Sequence, residues 1–166
     1  MTRKIIAETI NQENIAPYGS MTSILQPEGF SFAGEIHNFY PDRLQMFEQD
    51  MPSMSALTVK KPEKMLISAM ESHSTTSEVF VCLDADVVIH VTPPTPERPN
   101  TEDSKAFFVP RGTAVKLNIG VWHLAPIPVS ADLAHIVILL PQRTYADDCR
   151  VVNLTKEEQF VIELNK

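Results

Sequence analysis

Thirteen prolines against five glycines restrict this chain more than any other feature. A proline inside a helix removes one hydrogen bond and clashes with the preceding turn, so a helical bundle is excluded. What remains compatible is a set of short extended segments broken by turns. With 166 residues, 43% of them hydrophobic, the chain has enough apolar material for one real core. One domain over residues 1–166 is expected, with no repeat, low-complexity tract or linker to divide it.

The segments can be placed from their texture. Residues 4–8 read as a first short strand, and NQENIAPYGS (11–20) as a helical turn stopped before Pro17. Residues 21–50 are polar and irregular, with FYPDR (39–43) as a turn. Residues 55–60 and 65–70 are extended, separated by the loop KKPEK. Residues 78–82 and 87–91 flank LDAD (83–86), which signals a hairpin. The loop TPPTPERPNTEDS (92–104) holds four prolines in seven residues and leaves no ladder donors. Strands are then expected at 105–109, 113–117, 135–140 and 151–154. Thr155 with Glu158 three residues on forms a capping box, so residues 155–160 read as a short C-terminal helix. Eight to eleven short strands with tight turns predict an all-β antiparallel barrel or jelly-roll sandwich.

The charge balance narrows function. A formal net charge of −7 disfavours binding to a nucleic-acid backbone, which requires a basic face. No apolar run approaches the roughly 18 residues of a membrane-spanning helix, and the apolar residues near the start are closed off by Glu8 before they could make a signal peptide. Cys82 and Cys149 in such a chain read as reduced thiols. A cytoplasmic location is the expectation.

The chemistry concentrates in two places. ESHSTTSE (71–78) precedes a strand, and GVWH (120–123) follows, its His123 45 residues beyond Glu78. Strand residues two apart share a face, so Glu71 and His73 can project together, with Glu78 across a short turn and His123 from another strand. Two imidazoles with carboxylates suit a divalent first-row metal: zinc, nickel, manganese or iron. The same residues admit a metal-free hydrogen-bonded cluster equally well. Adjacent strand residues point to opposite sides, so with His123 turned inward Trp122 should pack against an outer layer or a neighbouring subunit. His90 and His135 read as structural, although His135 could turn inward, and His37 sits in a loop with no role suggested. Arg111, Lys116, Arg43, Lys60 and Lys61 are candidate carboxylate anchors; Lys116 stands out because its strand, AVKLN (114–118), is otherwise apolar.

These residues resemble the cupin pattern, in which HxHxxxxE is followed by a histidine from a later strand; here Glu71 replaces the first histidine. Within the cupins the chain is similar to the ureidoglycolate lyase family. The resemblance rests on APYGS (16–20), Glu71 and His73, GVWH letter for letter, and Asp148-Cys149 before VVNL. It departs from the family at Glu78, where glutamine is usual, at Leu124, where a second histidine is usual, and at residues 141–143, where the family's aspartate is missing. The resemblance implies a carbon–nitrogen lyase of allantoin and purine breakdown, converting ureidoglycolate to glyoxylate and urea, and a homodimer. It implies His123 as acid or base, His73 as ligand or proton partner, Glu78 and Glu71 completing a metal shell, and Lys116 or Arg143 holding the substrate carboxylate. Another metal-dependent cupin enzyme, an isomerase or dioxygenase acting on a small polar acid or sugar, and a non-catalytic binding module are the alternatives.

Overall fold

A computed structural model describes residues 2–26, 28–30, 32–33, 38–39, 44 and 52–164. His37, Arg43 and residues 40–43 of the turn expected in FYPDR lie outside them. In chain order the elements are β1 (Arg3–Thr9), α1 (Gln12–Ile15), β2 (Gly19–Ser23), β3 (Phe32–Ala33), β4 (Asn38–Phe39), β5 (Pro52–Lys60), β6 (Leu66–Ile67), β7 (Ala69–Ser72) and β8 (Glu78–Cys82). There follow β9 (Val87–Thr92), a 3₁₀ turn (Thr101–Asp103), β10 (Lys105–Val109), β11 (Thr113–Leu117), β12 (Trp122–His123), β13 (Ile127–Pro128), β14 (Leu133–Pro141), α2 (Thr144–Asp147), β15 (Arg150–Asn153) and β16 (Phe160–Leu164). The proline-rich loop, the helical turn at α1 and most expected strands fall where their residue types place them.

Two sheets carry the structure. The larger runs β15-β7-β12-β9-β10-β1-β16-β6, with β13 also on β9; the smaller runs β2-β11-β8-β14-β5. Between them Phe80, Ile89, Phe107, Val115, Leu117 and Ile136 form the main core. A second core lies on the other face of the larger sheet, around Met70, Val88, Trp122, Phe160 and Ile162. Its strands curl round until β6 and β7, separated only by Ser68, stand at or near the two ends of the run. Every residue of β9 is therefore buried, whichever way it points.

Three expectations change. LDAD does not turn a hairpin, because β8 belongs to the smaller sheet and β9 to the larger; the four residues carry the chain across the core. Turn-forming residues report a change of direction, not the sheet to which the next strand adds. The larger sheet is mixed, since β1 pairs in parallel with both β10 and β16. The C-terminal helix is absent. The Thr155–Glu158 box does form, with the Thr155 amide donating to Glu158 Oε2 at 2.7 Å and the Glu158 amide to Thr155 Oγ1 at 3.4 Å. It closes one turn, and Phe160 then enters β16, where its complete burial outweighs the local cap.

Candidate metal and proton-transfer centre

The centre lies where the two sheets come together. In β12, His123 stands opposite Glu71 of β7 and opposite Val91 of β9, so it faces the main core. Trp122, one residue earlier, takes the other face and is fully buried in the second core, its indole N–H donating to Thr95 Oγ1 at 2.8 Å. Gly120 makes this possible locally. At φ 78° it occupies a conformation that side chains disfavour, and its N–H donates to the His73 carbonyl at 2.7 Å. The GVWH turn is thereby tied to the chain that carries His73. Glu78 arrives from the opposite side, as the first residue of β8, on the same face as the core residues Phe80 and Cys82.

All four side chains converge. Glu78 Oε2 lies 3.1 Å from His73 Nε2 and 3.3 Å from His123 Nε2, and Glu71 Oε1 lies 4.0 Å from the latter. The two rings meet edge-on at 5.3 Å between centroids. On their far sides each Nδ1 faces a backbone carbonyl, Asp148 at 2.7 Å and Val121 at 2.9 Å. A carbonyl only accepts, so each Nδ1 carries the proton and each Nε2 is left for the centre. Burial works to lower the His123 pKa, but the Glu78 carboxylate, with help from the Val121 carbonyl and Glu71, holds it up at about 8. Burial opposes His73 likewise, and Glu78 with the Asp148 carbonyl raises it. Burial would raise Glu78, yet the two imidazoles hold it down at about 2.

The donor set fits a divalent metal. Ligand atoms of Glu71, His73 and His123 all lie within 4.8 Å of one another, and Glu78 touches both rings. Nε2 ligation with Nδ1–H held by a carbonyl is the usual way in which a protein fixes the tautomer of a metal-binding histidine. Nitrogen with carboxylate oxygen suits first-row ions.

Beside the centre a groove of about 610 Å³ is lined by Ser72, Ser74, Pro94, Thr95, Pro96, Ile119, Gly120, Asp147, Asp148, Cys149 and Arg150. The four central side chains do not line it; the groove meets them through Cys149 and Asp148. Asp148 is the fixed point of this wall. Its carboxylate accepts from the backbone and hydroxyl of both Ser74 and Thr75, at 2.6–2.9 Å. Burial works to raise its pKa, and those donors hold it down at about 2.

The expected anchors lie elsewhere. Lys116 neighbours Leu117, which pairs with Glu78 on the core side; Lys116 therefore projects from the opposite face of the smaller sheet. An apolar strand was a poor guide here, because both faces of that strand are largely covered. Arg143 is exposed and forms an i,i+4 ion pair with Asp147. His135 does not turn inward; it is exposed and paired with Asp84 at 2.6 Å. Arg111 and Lys60 are exposed, and Lys61 donates to the Val129 carbonyl. The cation in the groove wall is Arg150, whose guanidinium donates to the Pro96 carbonyl. It stands at the start of a strand with no motif around it. Its one sequence signal was adjacency to Asp148-Cys149.

Two curved sheets with an imidazole–carboxylate centre between them define a cupin. The chain belongs to the ureidoglycolate lyase family, whose model matches residues 2–163. Comparison with curated protein sequences finds no match. Among solved structures the chain is similar to a dTDP sugar isomerase from Desulfovibrio desulfuricans G20, with a TM-score of 0.49, 11% identity, and 85% of this chain and 87% of that one covered. It is also similar to the 3,4-ketoisomerase QdtA of Thermoanaerobacterium thermosaccharolyticum (TM-score 0.44, 15% identity, 79% and 85% covered). A third is the oxalate decarboxylase of Bacillus subtilis (TM-score 0.44, 12% identity), of which the chain covers 24% with 63% of its own length. Among the described residues no helix is long and apolar enough to cross a membrane.

Proposed function

We propose that this chain is a lyase of the ureidoglycolate type, acting through a divalent first-row cation held by His73 Nε2, His123 Nε2, Glu78 and Glu71. The observation that carries the reading is the convergence of two carbonyl-fixed imidazoles on Glu78 Oε2, at 3.1 and 3.3 Å. When bound, such a cation polarises substrate oxygens and acidifies a hydroxyl. The substrate carbon bears a hydroxyl and a urea nitrogen. Loss of the hydroxyl proton and cleavage of the carbon–nitrogen bond give the aldehyde of glyoxylate, and the departing nitrogen gains a proton to become urea. Glu71 is about a quarter exposed on its side chain, and its Oε2, on the groove-wall side and not the oxygen turned toward His123, takes the hydroxyl proton and returns it to nitrogen. Arg150 meets the substrate carboxylate in the groove.

A second reading has its own support. With Glu78 beside it, His123 carries a proton at Nε2 at neutral pH, and that proton can go directly to the leaving nitrogen. One ring cannot ligate a cation and donate from Nε2 at the same time, so the two readings separate cleanly. Glyoxylate release from ureidoglycolate should exceed the spontaneous rate, fall to background in His73→Ala and His123→Ala, and vanish on chelation. Full activity after chelation would favour His123 as the acid. No glyoxylate from protein with bound metal would sink the lyase reading and leave the metal centre standing.

A further inference from the structure

The geometry points to Cys149 as a positioning residue for Glu71, its S–H donating to Glu71 Oε2 and so turning the other oxygen toward His123. This rests on the reading of the cluster as a metal centre. Of the four converging side chains, Glu71 is the most exposed, at 26% against 10% for Glu78 and 5% for each imidazole. It has the most freedom to swing into the groove, although its strand is paired on both sides, by β12 and β15. The contact that opposes this swing is Cys149 Sγ, 3.4 Å from Oε2, while Oε1 stays 4.0 Å from His123 Nε2.

The thiol is placed by what precedes it. Four donors from Ser74 and Thr75 fix the Asp148 carboxylate, and the Asp148 carbonyl holds the His73 ring. The two successive residues Asp148 and Cys149 thus orient two of the cluster's side chains, one through a main-chain oxygen and one through sulfur. A thiolate would repel Glu71 and compete for the cation, whereas a thiol donates. A free thiol ionises only above neutral pH, so the sulfur keeps the proton that it donates at 3.4 Å. Sulfur is a weak donor, but the acceptor is a carboxylate, and partners behind a ligand commonly change metal affinity by about 10–100-fold.

Cobalt(II) titration of the full chain, followed by its visible and near-ultraviolet absorption, tests this without any substrate. Cys149→Ala should weaken uptake about tenfold. Cys149→Val, which keeps bulk and lacks a donor, should match the alanine variant, and Cys149→Ser, which keeps a donor, should restore most of the affinity. Thermal unfolding of the metal-free forms checks that all three variants fold. Valine binding as wild type would show that packing alone matters and would overturn the proposal, as would three variants indistinguishable from wild type. A sulfur-to-cobalt charge-transfer band in the wild type would make Cys149 a ligand and overturn the donor role. Absence of cobalt uptake by the wild type would bring down the metal centre and this role together; the other failures leave the centre intact.

Discussion

His90 and His123 sit on adjacent strands of one sheet, facing opposite ways, and both are buried. His123 finds Glu78, Glu71 and a carbonyl, and its pKa rises to about 8. His90 finds the edge of the Phe160 ring at 5.8 Å and, among the described residues, no hydrogen-bond partner for either nitrogen. Burial, with His123 adding to it, pushes its pKa down to about 3. Without a metal, the same side chain at the same depth becomes a cation on one face and a neutral, apolar filler on the other. Desolvation alone favours the neutral ring, and only a carboxylate at hydrogen-bond distance reverses it. The main-core face is the chemical side of the sheet and the second-core face its structural side.

The comparison is tested most severely at Trp122. If the second core is structural, Trp122→Ala should cost about 3–5 kcal/mol in denaturant unfolding, since it empties the largest buried side chain on that face. A loss under about 1 kcal/mol would mean that the second core collapses easily and carries little of the fold.

His90 comes next, through pH. Its folded pKa lies below its unfolded value, so protons bind the unfolded chain more readily and stability drains as pH falls from about 6.5 toward 3. By pH 5 the wild type should have lost roughly 2 kcal/mol relative to His90→Leu, which has no nitrogen to protonate. Parallel stability curves for the two proteins would show that His90 does find a proton acceptor in solution.

The smallest expected change is a titration. Glu78→Gln removes the charge that lifts His123, so the imidazole pKa should drop from about 8 to below 6.5, read by NMR of the ring protons on metal-free protein. In the wild type the raised His123 pKa stabilises the fold fully below pH 6.5 and loses that contribution as pH rises through about 8. The depressed Glu78 pKa contributes above about 4.5 and is lost toward about 2. The variant should lose both limbs. An unchanged His123 pKa would assign its elevation to Glu71 and the Val121 carbonyl.

Much of this division was legible beforehand, and the reasons for the rest are local. Strand alternation is enough to put Trp122 and His123 on opposite faces and Glu71 with His73, because the period of two is geometric. It could not tell that the face opposite His123 would be covered by the same sheet curling round. Lys116 shows the cost of that blindness: an apolar strand suggested an inward cation, and the apolar residues turned out to serve both faces. LDAD and the Thr155 cap were locally correct as a reversal and a turn, while sheet membership and length were decided by Phe80 and Phe160 finding their cores. Asp148 and Cys149 carried a hint through the resemblance. Their contacts with His73 and Glu71, 75 and 78 residues away, are beyond any short pattern.

The parallel pairing of β1 with β16 also has a temporal side. Arg3 aligns with Phe160 and Ala7 with Leu164, so the curled sheet lacks a member until residues 160–164 have been made. At roughly 5–20 residues per second of synthesis, β1 must wait on the order of ten to thirty seconds for its partner. During that wait one edge of β1 and the ring of strands around Trp122 stand open, a template for any other extended chain nearby. Pairings across such sequence separations are also slow to form. The second core is therefore the last part of the molecule to close, and the interval before closure is when this protein is most exposed to misassembly.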